Sequence, residues 1–202
     1  MKLKMMRTLQ LLIRALSALR LAAGDDRASQ IAEFAISLPL LVLFVVGIFD
    51  FSGALTLKQK LTNAAREGAR VAAADPANDL VGSPSGVPVS VVDAFYVVDN
   101  YLTSEKISDC SLPKPSISGN LIWTSTAGCP GGGGPSNSLV LTINRGYLTP
   151  QTVGQNTTNI VSTQVTIRYP YSWRFGGVSG LFGNSFTLPT GITTVAVAFN
   201  EN

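Results

Sequence analysis

The residues that could do chemistry are few. The chain has 202 residues, no histidine, two cysteines, and 15 basic against 12 acidic side chains. No Gly-x-Ser-x-Gly nucleophile elbow occurs, and the acids are scattered. Asp93 and Asp99 share a stretch of helical spacing but have neither a partner base nor a metal-ligand set beside them. We therefore expect no enzyme, no cofactor, no metal and no small-molecule substrate. The run Cys129-Pro-Gly-Gly-Gly-Gly-Pro135 lacks the Gly-Lys-Ser/Thr ending that a phosphate loop needs before a helix, and reads as a connection. Asn156-Thr-Thr matches a glycosylation sequon, a short motif with little weight by itself.

Cys110 and Cys129 have 18 residues between them, which is neither a CxxC nor a zinc spacing. If this part of the chain lies outside the cytoplasm, a disulfide is the natural reading. Two unpaired thiols are the alternative. Glu33 stands at the head of a run from Phe34 to Phe49 that carries no charge. An acid at that place either sits in an interfacial first turn, where the helix macrodipole favours it, or pairs with a charge on a partner, such as another subunit's N-terminal amine.

These residues must be positioned by a helix. Ser29 to Ala74 has only Pro39 as a strong breaker, and neighbouring groups can re-satisfy a proline kink inside a membrane. At 1.5 Å per residue such a helix is about 65–70 Å long. A bilayer's hydrocarbon core is about 30 Å thick, so the second half must project beyond it. We place the membrane-spanning part at about 31–53. Leu57, Leu61, Ala64, Gly68 and Ala72 form a stripe on the second half. Ala64, Gly68 and Ala72 are a small-xxx-small series, with Ala65, Ala69 and Ala73 beside it. Small residues permit close backbone approach, either to the chain's own distal sheet or to neighbouring helices. Arg66, Glu67 and Arg70 read as a solvated face near the lipid headgroups.

Residues 1–28 form a basic amphipathic leader. Its apolar spacing is interrupted by Arg14 and Arg20, which spoils a secretory h-region. Up to Arg70 there are ten basic and five acidic residues; beyond it there are five and seven. The basic surplus thus flanks the apolar run. Six basic residues precede that run, so the N-terminus is expected in the cytoplasm and residues 75–202 outside it. A slightly acidic distal domain argues against nucleic acid as a partner.

Asp75-Pro76 ends the helix, and a linker runs to about Pro88. Val89–Leu102 has helical spacing, with a strand left open by its valines. Ser111–Pro135 reads as loop around Leu121-Ile-Trp123. Ser138–Asn144, Ile160–Tyr171 and Gly191–Asn200 alternate as strands, with Leu148–Asn159 a polar turn between the first two. On Ile160–Tyr171 the expected core face is Val161, Thr163, Val165, Ile167 and Tyr169. Trp173–Phe186 is a Gly/aromatic loop that caps the core or touches membrane or a partner. The expected fold class is α+β: a long N-terminal membrane-spanning helix followed by a small antiparallel-sheet domain.

Three stretches together resemble the TadE-like family, pilin-like minor proteins of the Tad/Flp pilus apparatus. They are Ser29-Gln-Ile-Ala-Glu33-Phe34-Ala-x-x-Leu-Pro39, Gly47-Ile-Phe-Asp50-Phe, and Asn63-Ala-Ala-Arg66-Glu67-Gly68-Ala69-Arg70. The likeness is strong over the first quarter of the chain. It is weak towards the end, at Val165-Thr-Ile-Arg-Tyr169-Pro-Tyr171. It implies a non-enzymatic pseudopilin or minor pilin acting by helix packing in a Tad or type IVb-like pilus, or in a related secretion filament. It implies inner-membrane lipid, other pilin-like subunits, the assembly platform and a prepilin peptidase as partners. It makes Glu33 and Phe34 docking residues and puts a peptidase cut between Ala28 and Ser29. The family has Gly before that cut; this chain has Ala28, with the nearest glycine at Gly24. The competing reading is a membrane-anchored extracytoplasmic adhesion or binding module. A plain anchor has no need of the helical extension past Leu57.

Overall fold

A computed structural model describes residues 26–80, 86–130, 137–174 and 189–201. Most of the basic leader, the four-glycine run and nearly all of the Gly/aromatic loop lie outside the described residues. The chain divides into two compact units, Met1–Phe49 and Asp50–Asn202. Residues 50–74, the second half of the long helix, thus belong to the distal unit.

Helix α1 spans Asp26–Ala74, with Pro39 inside it. It ends where Asp75-Pro76 requires, because the residue before a proline is disfavoured in helical conformation. A 3-10 turn at Ala77–Leu80 follows. Helix α2 spans Val89–Ser104 and buries Val91, Ala94, Phe95, Val98 and Leu102. This settles the helix-or-strand question left by the valines: the period of 3.6 that places these five on one face wins over β propensity.

Among the described residues five strands form one antiparallel sheet in the order β1-β2-β3-β4-β5, which is also chain order. They are β1 Ser116–Gly119, β2 Ile122–Gly128, β3 Ser138–Val153, β4 Asn156–Pro170 and β5 Gly191–Phe199. Trp123, Leu139, Leu141, Ile143, Val165, Ile167 and Ala196 share one core cluster with Leu61, Ala64, Ala65, Ala69 and Ala72 of α1 and the apolar face of α2. The distal unit therefore has two layers, helices on one face of a sheet. The period-2 alternation is clear in the ladder: Trp123 faces Ile143, Ile143 faces Val165 and Val165 faces Ala196.

Three expectations are corrected. Ser111–Pro135 is not all loop, because β1 and β2 lie in it; Leu121, with φ of 55°, makes the left-handed turn between them. Leu148–Asn159 is not a turn region. β3 and β4 continue as a ribbon of seven residue pairs, Tyr147–Val153 against Asn156–Ser162, closed by Gly154 with φ of 65°. Neither β2 nor β5 accompanies this ribbon beyond Asn144 and Ser162. Val161, expected on the core face, is consequently exposed.

Candidate functional site

The first candidate is the apolar half of α1. Its large side chains are exposed among the described residues, from Ile31 and Phe34 through Leu40, Leu41 and Phe44 to Ile48 and Phe49. Phe34 is 64% exposed and Ile36 78%. Water would not tolerate so wide an apolar surface on a free helix, since exposed patches of this kind mark membrane or partner contact. It is the one described helix long and apolar enough to cross a membrane. Glu33 lies near the start of this stretch and is exposed beside Phe34. The backbone of Ala28 and Ser29 is helical.

The second half of α1 is different. Ala64, Ala65, Ala69, Ala72 and Ala73 are buried, and so is Gly68. A Cβ placed on Gly68 would lie 2.6 Å from Val98 Cγ2 and 3.5 Å from the Ala94 carbonyl oxygen, with Val165 Cγ1 at 3.8 Å. Both small-residue series thus face the chain's own α2 and sheet. Of the two partners left open by sequence, the one in contact with Ala64, Gly68 and Ala72 is internal. Small residues are needed here because α2 crosses α1 at this point with almost no gap.

Asp50 interrupts the apolar sequence, yet it is buried. Its Oδ1 accepts the Arg174 N–H at 3.1 Å, and its carbonyl accepts the Tyr171 hydroxyl at 3.2 Å. The acid therefore fastens the end of β4 to the helix. Desolvation first, then the Asp50 charge, pushes the Tyr171 hydroxyl pKa up, so it stays a neutral donor. Tyr171 and Trp173 meet edge to face at 5.1 Å, and the Trp173 indole N–H donates to the Pro189 carbonyl at 2.8 Å.

Sequence reasoning missed the group at the other end of α1. Arg145 is fully buried. Its Nη2 donates to the Asp75 carbonyl at 3.0 Å and its Nη1 to Thr163 Oγ1 at 3.3 Å. Thr163 donates in turn to Asn200 Oδ1 at 2.6 Å, and the Glu201 N–H donates to the Ala73 carbonyl at 2.9 Å. Helix C-termini leave four carbonyls unbonded and carry partial negative charge, so a guanidinium there satisfies both needs. Burial lowers the Arg145 pKa, and the charges of Asp79 and Asp75 oppose that. Asp79 Oδ2 also accepts the Ser90 N–H at 2.9 Å, at the start of α2. One buried side chain thereby links the end of α1, the start of α2, the sheet and the last residues of the chain. The available signal was the alternation Leu139, Leu141, Ile143: one step further falls on Arg145. A bulge follows at once, since Asn144 pairs with Gln164 but Tyr147 with Ser162.

Cys110 and Cys129 are joined by a disulfide, with 4.9 Å between their Cα atoms. It fastens the segment after α2 to the end of β2. Lys60 pairs with Glu105 at 3.0 Å and Arg70 with Glu67 at 3.0 Å. Among the described residues no group of His, Cys, Asp and Glu is arranged to hold a metal.

The family model of the TadE-like proteins matches residues 28–70. No curated protein and no solved structure matches the chain. The matched span runs from the expected cut, through the exposed apolar half of α1, to the buried Gly68 and Ala69. That family is pilus-associated and structural, which points to a function related to the Tad pilus. Residues 28–70, the span that forms most of the long helix, are thus similar to the TadE-like family.

Proposed function

We propose that the chain is a single-pass membrane protein that takes part, as a minor pilin or pseudopilin, in assembling a Tad or type IVb-like pilus or a related secretion filament. The observation that carries this reading is α1 itself. Its exposed apolar stretch is followed, without a break in the helix, by a stretch packed into a folded domain. Residues 1–28 form the cytoplasmic leader, about 31–53 the membrane span, and 75–202 the bulk of an extracytoplasmic domain. The protein acts by anchoring and helix packing, not by catalysis. Its lateral contacts with other pilin-like subunits and the assembly platform run along the apolar half, with Glu33 and Phe34 guiding docking. The buried series at Ala64, Gly68 and Ala72 serves the domain's own fold.

Mass and N-terminal sequence of the protein isolated from membranes test the first step. A chain that begins at Ser29 identifies a processed pseudopilin whose peptidase accepts Ala28. A chain that retains Met1 identifies a permanent membrane-anchored assembly factor. Glu33→Ala is expected to insert normally and to reduce piliation; unchanged piliation would remove the docking role. The ribbon Tyr147–Ser162 favours a second reading, an adhesion or binding module. It is uncharged, and Leu148, Ile160 and Val161 are exposed on it. Deleting the ribbon without loss of piliation but with loss of surface binding would support that reading over the first.

A further inference from the structure

The two edges of the sheet are built differently. β1 has four residues, and its register with β2 shifts between Ile117 and Gly119. Short strands and bulges blunt an edge against further pairing. β5, at the other edge, has nine residues, Gly191–Phe199, without a charge or a proline. Such an edge is a ready template for another strand.

The ladder shows which backbone groups of β5 are unpaired. The Tyr171 N–H donates to the Thr190 carbonyl at 3.1 Å, one pair beyond Pro170–Gly191 in the β4–β5 register. Bonded and non-bonded pairs alternate in an antiparallel ladder. Tyr169–Ile192, Ile167–Thr194, Val165–Ala196 and Thr163–Ala198 are therefore the bonded pairs. Thr193, Val195, Val197 and Phe199 turn N–H and C=O away from β4, and among the described residues nothing bonds these groups. Their side chains lie on the sheet face away from the helices: Val195 is 50% exposed, Val197 44% and Phe199 52%. Opposite these three on β4 stand Thr166, Gln164 and Ser162, so the apolar stripe is confined to the edge strand.

A groove lies beside this edge. Thr194, on the helix-facing side of β5, donates to Thr62 Oγ1 at 3.1 Å. Buried Leu61 and Ala65 lie on the core side of Thr62. On its other side the helix surface holds a groove of about 370 Å³, lined by Leu55, Lys58, Gln59, Thr62, Asn63 and Arg66. Neighbouring strands are about 4.8 Å apart, so one more strand beside β5 passes over this groove with alternate side chains turned into it. Lys58 and Arg66 are exposed, and among the described residues neither has an acidic partner. We propose that the outer edge of β5 accepts an extended segment of another protein as a sixth strand. The segment is apolar on the side that meets Val195, Val197 and Phe199, and acidic on the side turned toward Lys58 and Arg66. A second copy of this chain is not the occupant, because its own free strand edges, on β1, β5 and the ribbon Tyr147–Ser162, carry no acid. Edge and groove both belong to the distal unit, so the site does not rest on the membrane span.

The test uses the full chain in detergent and a fluorescent peptide, Thr-Val-Glu-Val-Thr-Val-Glu-Val-Thr, whose valines share one face and whose glutamates share the other. Anisotropy reads binding, and NMR reads amide exchange. The peptide is expected to bind and to slow exchange at Val195 and Val197. The amides of Thr194 and Ala196, already bonded to β4, should exchange as before. Lys58→Gln with Arg66→Gln should weaken binding about fivefold, the worth of two exposed ion pairs. Val197→Pro removes an outward N–H and none of the bonds to β4, so it should lose the peptide and keep the fold. The same peptide N-methylated throughout, which has no backbone donors, should not bind the unaltered protein. Absence of binding overturns the proposal, as does equal binding of the N-methylated peptide or of one with lysine in place of glutamate. Slow exchange at Val195 and Val197 without peptide overturns it too. If that protection disappears on dilution, the edge belongs to a second copy; if it persists, the chain covers its own edge.

Discussion

Replacing Arg145 by methionine tests whether one buried cation holds the distal unit together. Methionine keeps most of the volume and fills an irregular space readily. It removes the donors to the Asp75 carbonyl and to Thr163 Oγ1. It also removes the positive charge facing Asp75 and Asp79. Two effects oppose each other. Hydrogen bonds to a charged group contribute about 1.5–3 kcal/mol each, and breaking a buried pair typically costs about 3–5 kcal/mol. Against this, the buried guanidinium is itself poorly solvated, which is why its pKa falls, and methionine relieves that cost. Asp75 and Asp79 are half-buried, so water reaches part of each residue once the cation has gone, although Asp75 Oδ2 and Asp79 Oδ1 are shut off from it. The loss should therefore lie near the lower end of the range, about 3 kcal/mol. The assay is urea unfolding of the full chain in detergent, followed by the fluorescence of buried Trp123. With a slope of about 1.5–2 kcal/mol per molar, the midpoint should fall by about 1.5–2 M. Arg145→Lys, which keeps the charge but loses the fork, should fall between. A methionine variant as stable as wild type, or more stable, would refute the reasoning. Burial cost would then dominate, as it does where apolar residues replace other buried ion pairs.

Gly68→Ala gains about 1 kcal/mol of helix propensity but puts a methyl 2.6 Å from Val98 Cγ2, on a stiff β-branched side chain in a second helix. Overpacking of about 1–3 kcal/mol should win, lowering the urea midpoint; a rise would show that α2 moves aside freely. Joint replacement of Cys110 and Cys129 by serine opens a loop with sequence separation 19. By the chain-entropy estimate it should cost about 3 kcal/mol, and a reducing agent should reproduce the loss in wild type but not in the variant. Burial, then the charge of Asp109, raises the Asp99 pKa above its ordinary value. The folded state then binds this proton more tightly than the unfolded one. The ionised carboxylate therefore costs stability above the raised pKa, and that cost disappears as the pH falls through it. Asp99→Asn should be the more stable protein at neutral pH and lose its advantage in acid, read from urea midpoints across the range; a pH-independent difference would remove the cause assigned.

Part of this protein is written locally. A run of uncharged apolar residues needs no partner to become a helix in lipid, since every backbone group is satisfied within the segment. Phe34–Phe49 could therefore be read residue by residue. The alternation in Ser138–Asn144 and Gly191–Asn200 also carried, because half-buried strands show their period directly. Elements whose stability comes from pairing did not. β1 and β2 contain Ser, Thr and Gly more than apolar residues, and β2 exists because seven of its positions pair with β3. The ribbon beyond Tyr147 is mostly polar, with Leu148, Ile160 and Val161 too scattered to leave a period to detect.

The same division runs through the candidate sites. The uncharged length of α1, Glu33 at its head and the small-residue series are properties of the string of residues, and so were visible in it. Which surface those small residues touch was not, because Gly68 meets Val98 and Val165 only when two distant segments close on it. Arg145 shows this most clearly. Asp75, whose carbonyl it holds, lies 70 residues earlier in the chain. A basic residue in a strand carries no local sign of burial. The sequence alone determined an apolar helix of membrane length with an acid at its head. Tertiary structure decided which of its residues remain outside the domain, because burial depends on contacts between segments far apart in the chain.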